Sequence, residues 1–596
     1  MDFFEAQDQA RRKTKSLIIL FILAVLTMGT LIYLGVSFAL MSQVDSHLPL
    51  ISIDRFLTVV GLVALFVAVC SLWKVSALKA GGSSIALMLG GTKVAAEPND
   101  PKLQQYRNVV EEMAIASGIR IPEIFVLKEE AGINAFAAGY TPQNAAVAVS
   151  QGCLDQLDRD ELQGVVAHEY SHILNGDMRI NSRMIGVLFG LLALAVIGQF
   201  ALRGFAFSGR RRSRRDSKGG GGVIVIIAIV VMIVGYIGVF FGRLIQSAIS
   251  RQREFLADAA AVQFTRNPGG IANALRKIQR HVSGSRIENP DAMEASHLFF
   301  SNALARSFAN VFSTHPPLEK RIAAIDPTGI TRKNIKEKSS TPEPRTRRQP
   351  AGHPNDFVSH FGSVDEASIA QAHSTIDSLP SELSHIARNP LTASTILLAS
   401  IGLYPSQRAY QKLSPVQKHS LFEISLASIK DLPLRELESK FSEIKRLAQK
   451  DGIIDFDEQC LMIAMGKSIQ SFHTNSKFGH RPFPKVRRPI EIVLSAIALS
   501  GSEDEAQARI AFDHGSTAFN AFGTQLQARL DHAREPDSLN EAITAISESI
   551  MAVRKTVLIA ATNIVTHDQE LGDRELQHIR SLCAALECPA PSLTES

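Results

Sequence analysis

The chain has little cysteine and little net charge, and each scarcity removes a class of function. Five cysteines, Cys70, Cys153, Cys460, Cys583 and Cys588, are scattered over 596 residues, and no two form a Cys-x-x-Cys pair. Neither a disulfide framework nor a cysteine zinc site is indicated, and the usage fits a reducing compartment. The formal net charge is +5, too small an excess to call for a nucleic-acid partner. Charged residues make up 20% of the chain against 45% hydrophobic, so the apolar residues must be concentrated in particular segments. The length exceeds that of one domain and points to two or three.

Four apolar runs stand out, at residues 16–40, 56–73, 184–202 and 223–241. Crossing ~30 Å of hydrocarbon takes about 20 apolar residues in a helix. The first run is long enough without question and too long for a signal-peptide core, so it is expected to stay as an anchor. The other three sit near the limit, and for the second pair buried core helices are the lesser alternative. Arg11, Arg12, Lys13 and Lys15 precede the first run, residues 41–55 carry Arg55 alone, and Lys74 and Lys79 follow the second run. The positive-inside rule then places the N-terminus and the chain after Lys74 in the cytoplasm. Against it, Arg210, Arg211, Arg212, Arg214, Arg215 and Lys218 lie between the third and fourth runs. Either that second hairpin does not cross fully, or the first pair is oriented the other way.

Between residues 80 and 183 the pattern is mixed α/β. Residues 108–118 read as a helix ending at a glycine, and 123–127 and 145–149 as short strands. Residues 158–173 read as a helix with Asp158 as N-cap ahead of Asp160 and Glu161. Helical patterns resume over 244–280 and around Arg321. Residues 331–356 form a linker rich in Pro, Ser and charge, without apolar period. Residues 357–596 show helical periodicity and no long apolar run. The expected plan is an N-terminal transmembrane hairpin (1–80), a central domain (81–330) holding the second hydrophobic hairpin (about 184–241), the linker, and a helical C-terminal domain.

Chemistry concentrates at His168-Glu169-Tyr170-Ser171-His172. Histidines at i and i+4 of a helix share one face, so both imidazoles can reach one ion. Zinc suits imidazole nitrogen and tolerates a tetrahedral site with one open position. Glu169 lies beside that face, placed to take a proton from metal-activated water and return it to the leaving amine. A third ligand is needed, and Glu254 is the best candidate, with Asp258 one turn on to hold a ligand histidine by a hydrogen bond. From spacing alone, Glu254 and Asp258 read equally as the charged face of an amphipathic helix. His172 precedes the third and fourth apolar runs and Glu254 follows them, so the two meet only if those runs return to the same side.

Five segments then occur in order: EEMAIASG (111–118), NAFAAG (134–139), HEYSHILNGD (168–177), EFLAD (254–258) and THPPLEKRI (314–322). Together they resemble the HtpX-like family of integral-membrane zinc proteases, which is related to the CAAX prenyl proteases. The resemblance implies a mainly α fold: a membrane-anchored gluzincin domain with a small β-sheet, followed by a soluble all-helical domain. It implies one zinc ion per subunit on His168, His172 and Glu254, with Glu169 as general base and Asp258 behind a ligand. It implies a sheet edge around 134–139 on which an extended substrate docks as an added strand. His315 corresponds to a histidine near the metal, able to stabilise the oxyanion or to act as an inhibitory fourth ligand. Spacing alone makes a histidine before two prolines a turn residue. The implied substrates are unfolded or misassembled proteins of a bacterial inner membrane, cut on the cytoplasmic side.

The C-terminal third departs from that family. DGIIDFDE (451–458) and DQELGDRE (568–575) precede helical stretches and weakly resemble the acidic helix starts of TerB-like domains. They read either as divalent-ion sites or as acidic first turns complementing helix dipoles. A partner protein for this domain is one expectation. An alternative to the enzyme reading is a membrane scaffold whose function lies in the C-terminal domain.

Overall fold

The chain enters with two long helices, α1 (Phe3–Gln43) and α2 (Ile53–Ala77), in a computed structural model. A short helix, α3 (Gly82–Met88), leads into a mixed unit of β1 (Thr92–Lys93), α4 (Pro101–Ser117), β2 (Glu123–Leu127), β3 (Ala135–Ala138), β4 (Ala146–Ser150), α5 (Gln151–Gln156) and α6 (Arg159–Leu174). Two more long helices follow, α7 (Asp177–Ser208) and α8 (Gly220–Thr265), then α9 (Pro268–Arg280) and α10 (Leu318–Ile325). The structure describes the chain except residues 1–2, 44–48, 50, 78–80, 209–219, 282–283, 290–294, 296–297, 302–314, 327–357, 359–360, 363, 404–407, 449–454, 474–480, 503, 568–572 and 592–596. The expected linker and the basic loop 210–218 therefore lie outside the described residues.

By length and composition, four helical spans can each cross a membrane: Ile19–Met41, Ile53–Ala77, Asp177–Gly204 and Val223–Gly242. The third span starts a full two turns before the apolar run at Met184, because Asp177 to Arg183 continue the same helix. The four helices pack as a bundle at close range. A Cβ on Gly190 would meet Ser71 Oγ at 2.0 Å, and one on Gly235 would meet the Ala195 amide at 2.4 Å. Small residues thus let α2 approach α7, and α8 approach α7, almost to backbone contact, as expected where lipid removes the hydrophobic drive between helices. The outward faces stay apolar, with Leu57, Leu65, Trp73 and Phe200 exposed.

The sheet has the order β1-β2-β4-β3, with β2 and β4 parallel and the outer pairs antiparallel. β3, β4 and β2 beyond Glu123 are buried on both sides, which explains their apolar character. β3, the strand of NAFAAG, lies at the edge.

α6 starts where Asp158 accepts from the Glu161 amide and Glu161 accepts from the Asp158 amide, a reciprocal capping box. Its apolar residues Leu162, Val165, Val166 and Ile173 enter the main core, and the Tyr170 hydroxyl donates to the Val110 carbonyl of α4 at 2.8 Å. The helical stretch expected over 244–280 is two helices. Pro268 at the first turn of α9, with Asn267 accepting from the Gly270 amide, ends α8 and restarts the chain in a new direction.

The C-terminal part is helical. The helices that bear on the site are α11 (Glu366–Asp377), α12 (Ser381–Arg388), α13 (Phe456–His473), α14 (Met551–Val565) and α15 (Asp573–Leu586). α11 packs against α4, and all five contribute to one continuous apolar core that runs from Val94 to Ala590. Polar contacts seal the seam: Arg388 to Glu111 at 2.7 Å and His373 to Glu112 at 2.9 Å, Arg120 to the Ala464 carbonyl at 2.9 Å, and the Ala590 amide to the Gly118 carbonyl at 2.8 Å. Gly118 has φ 65°, and a Cβ there would lie 2.4 Å from the Ala590 oxygen, so both the turn and the seam require glycine.

Candidate metal centre and catalytic site

α6 presents His168 and His172 one turn apart, their rings edge to face at 4.9 Å. α8 returns from the bundle and packs along α6, placing Glu254 opposite both. His168 Nε2 is 3.7 Å from Glu254 Oε2, and His172 Nε2 is 3.7 Å from Glu254 Oε1. Two ligands each ~2.1 Å from a tetrahedral ion lie roughly 3.4 Å apart, so the three donors span the space that an ion needs. They form the one His/Cys/Asp/Glu group with metal-ligand spacing found among the described residues.

Each histidine is backed by a carboxylate, and each carboxylate by an arginine. His168 Nδ1 lies 3.0 Å from Asp258, and Asp258 takes both arms of the Arg321 guanidinium at 2.8 and 2.6 Å. His172 Nδ1 lies 3.0 Å from Asp177 Oδ2, and Asp177 Oδ1 accepts from Arg253 at 3.0 Å. A carboxylate accepts only, so with the imidazoles neutral, as ligation of an ion requires, each Nδ1 would carry the proton and each Nε2 would turn its lone pair to the centre. Asp177 reaches His172 because Gly176, at φ 70°, reverses the chain directly after α6.

The charges match a cation. The carboxylates of Glu169, Glu254, Asp258 and Asp177 face the guanidiniums of Arg321 and Arg253, all buried, which leaves two negative charges when the imidazoles are neutral. As protein groups alone, burial disfavours an imidazolium at His168, yet bonding to Asp258 and Glu254 raises it to about 9. Burial also opposes ionisation of Glu254, but His315 and His168 hold it well below the carboxylate range. Asp258 is likewise held down, to about 2, by Arg321 against the cost of burial. The pocket favours positive charge at its middle, and its two nitrogens and one carboxylate suit zinc by donor type.

Glu169 behaves differently. Burial raises its pKa above the ordinary value. Neither carboxylate oxygen meets hydrogen-bond geometry with a protein donor, although the Ala137 amide is near enough to favour the charged form. The charges that act on it are His168, His172 and Glu254, so it faces the same centre.

All six site residues read from the sequence, His168, Glu169, His172, Glu254, Asp258 and His315, are brought together and buried. His315 Nδ1 sits 2.9 Å from Glu254 Oε2. Asp177, Arg253, Asn181 and Arg321 complete the site and were not singled out from sequence. Their signal was present: Asn175-Gly176-Asp177 stops the helix just after the second histidine, and an arginine immediately precedes Glu254.

Phe300 is a further unforeseen member. Its ring stands edge-on to His168 at 4.9 Å, its carbonyl accepts from Arg321 at 2.6 Å, and its amide donates to the Ala135 carbonyl at 2.7 Å. Phe299 forms an antiparallel bridge with Phe136, so the outer edge of β3 already carries a short strand-like partner. In the C-terminal part, Asp455 accepts from the Glu458 amide at 2.9 Å, and Asp457 bonds His578 at 2.9 Å. That acidic segment acts as a helix start. Residues 568–572 of the second lie outside the described residues.

Residues 101–328 match the model of peptidase family M48. A "Protease HtpX homolog" of Dictyoglomus thermophilum is 38% identical over 229 residues, which are 38% of this chain and 71% of the relative. A "Protease HtpX homolog" of Streptococcus pyogenes serotype M6 is 35% identical over 298 residues, 50% of this chain and 95% of the relative. No solved structure matches.

Proposed function

The chain belongs to peptidase family M48 as an HtpX-like membrane metalloprotease, and we propose that it cuts unfolded or misassembled membrane proteins with one zinc ion held by His168, His172 and Glu254. The observation that carries this reading is the pair of 3.7 Å separations that join Glu254 to both histidines across a membrane hairpin. A zinc ion bound there supplies Lewis acidity, which brings the pKa of water toward ~7 and polarises a peptide carbonyl.

The protein groups do the rest. Glu169 takes the proton of the attacking water and delivers it to the departing amine. Its raised pKa suits both halves of that task, because a base poised nearer neutrality gives the proton back readily. His315 is placed to donate a hydrogen bond to the developing oxyanion. Asp258 and Asp177 hold the two ligand rings in one tautomer and orientation. Burial of the whole cluster keeps bulk water out, which strengthens each of these interactions.

An extended substrate would add to the outer edge of β3. Phe299 and Phe300 already pair with the Ala135–Phe136 part of that edge, so the substrate would pair with the Ala137 end of the strand, next to Glu169. Backbone pairing is indifferent to side chains, which fits unfolded segments as substrates.

The active site is proposed to face the cytoplasm of a bacterial inner membrane. α2 ends next to the mixed unit and α7 begins in it, so the catalytic unit lies at the end of the bundle where α1 starts. Arg11, Arg12, Lys13 and Lys15 mark that end, and the first helix usually dominates orientation. The loop 210–218 then falls on the far side, and labelling of cysteines introduced there tests the placement. For the chemistry, detergent-purified protein is assayed on casein with and without zinc, beside Glu169→Gln. Zinc-dependent cleavage by the wild type alone is the expected result. Equal cleavage by Glu169→Gln would remove Glu169 from the mechanism.

A further inference from the structure

The two histidine limbs of the centre are built alike but anchored differently. Behind His168 stand Asp258, from α8, and Arg321, from α10 outside the membrane hairpin. Behind His172 stand Asp177 and Arg253, the first from the opening residue of α7 and the second from α8. These are the outbound and returning arms of the second hairpin.

Arg253 does more than neutralise Asp177. Its Nη1 donates to Asp177 Oδ1 at 3.0 Å, and its Nη2 donates to Asn181 Oδ1 at 2.7 Å. Asp177 and Asn181 are one turn apart on α7, so the planar fork reads two successive turns at once. All three residues are buried. A helix rises about 5.4 Å per turn, so a slip of α7 along α8 by one turn would leave the fork without at least one of its two acceptors. The next residue, Glu254, points to the metal cluster instead. Consecutive side chains on a helix diverge by about 100°, and here that divergence sends Arg253 to α7 and Glu254 to α6. One carboxylate, Asp177, then links the fork to His172 Nδ1.

We propose that Arg253 is a positioning residue that fixes the register of the membrane hairpin and transmits it through Asp177 to His172, so that metal affinity depends on how α7 and α8 sit against each other. The inference rests on the metal reading above. It ties the His172 limb to both arms of the hairpin, whereas the His168 limb meets α8 alone through Asp258 and is backed from α10 by Arg321.

The test is zinc retention by the full-length protein against a graded chelator, followed by elemental analysis, with melting temperature measured in parallel. Arg253→Met should lose zinc at about ten-fold lower chelator strength, in the range seen for partners of metal-bound histidines. Arg253→Lys should recover part of that shift, because an ammonium replaces one bond but not the fork. Arg388→Met, which removes a partly buried guanidinium from the α4 seam, should lower the melting temperature and leave the chelator midpoint where it was. If Arg253→Met lowers the melting temperature in the same way with an unmoved midpoint, its role is structural only and the inference falls. Should Arg253→Met not fold, Asn181→Leu, which removes one acceptor of the fork without touching His172, is read by the same two criteria. Glu254→Ala in the same assay guards the premise. Zinc retained equally by wild type and Glu254→Ala would overturn the ligand assignment itself, which is a distinct outcome.

Discussion

The metal centre and the seam on α4 bury the same kinds of group to different ends. At the seam, Glu111 and Glu112 meet Arg107, Arg388, Arg159 and His373 at 2.7 to 2.9 Å. Every carboxylate there is matched by a guanidinium, and no negative charge is left over. At the centre, Asp258 and Asp177 are matched in the same way, but Glu254 and Glu169 are not, and the Nε2 atoms of both histidines are turned inward. What separates a structural ion-pair cluster from a site is the set of donors left open after the pairing is complete. Buried charge by itself does not distinguish them.

The sharpest way to break that comparison is to neutralise one group in each place. Glu169→Gln keeps shape and removes the base, so cleavage should fall by at least ~10³-fold, at the upper range for a general base, while zinc content and melting temperature stay close to wild type. Turnover within a few-fold of wild type would mean that the open donors do not include the base. Next in size is Glu254→Ala. With two imidazoles remaining, zinc retained after dialysis should drop to a small fraction of the protein. Unchanged content would place the third ligand elsewhere.

The contrast also shows why some of the molecule was legible in sequence and some was not. His168, Glu169 and His172 share one helix, so periodicity alone assembles them. Asp158 and Glu161 announce the start of that helix by local hydrogen bonding. Glu254 was legible through the family segment EFLAD, because nothing in its own spacing distinguishes it from a surface charge. Asp177 and Arg253 were harder still. Their pairing depends on two membrane helices packed in one register, a long-range fact that no local pattern encodes. The seam was illegible for the same reason: EEMAIASG shows two glutamates on a helix, but two of their four partners, His373 and Arg388, lie in α11 and α12, far along the chain. The C-terminal part was read as helical, and its intimate packing on the protease unit was not foreseen.

At the seam the opposite behaviour is expected. Arg388→Met leaves Glu111 with Arg107 and removes a charge-assisted bond, at a cost of about 1–3 kcal/mol. That should appear as a lower melting temperature with kcat and zinc content unchanged. A fall in kcat without a fall in melting temperature would show that α4 relays the C-terminal helices to α6 through Tyr170, and the two regions would no longer be separable.

The smallest effect is a pH dependence confined to the seam. Burial opposes ionisation of Glu111, but Arg388 and Arg107 more than offset it and hold its pKa below the ordinary 4.5. A carboxyl whose folded pKa is depressed contributes stability that is fully present above the unfolded pKa and is lost as pH falls through the folded value. The wild type should therefore lose stability from this group only below about pH 4.5. In Arg388→Met the depression is smaller, so less stability is tied to the ionised form. The melting-temperature gap between wild type and Arg388→Met should be widest near neutrality and should narrow as the pH is lowered below about 4.5. Other carboxyls titrate in the same window, but they are common to both proteins and cancel in the gap. Parallel curves down to pH ~3 would mean that Arg388 stabilises the seam by packing its stem, as long arginine side chains can, and not by its charge on Glu111.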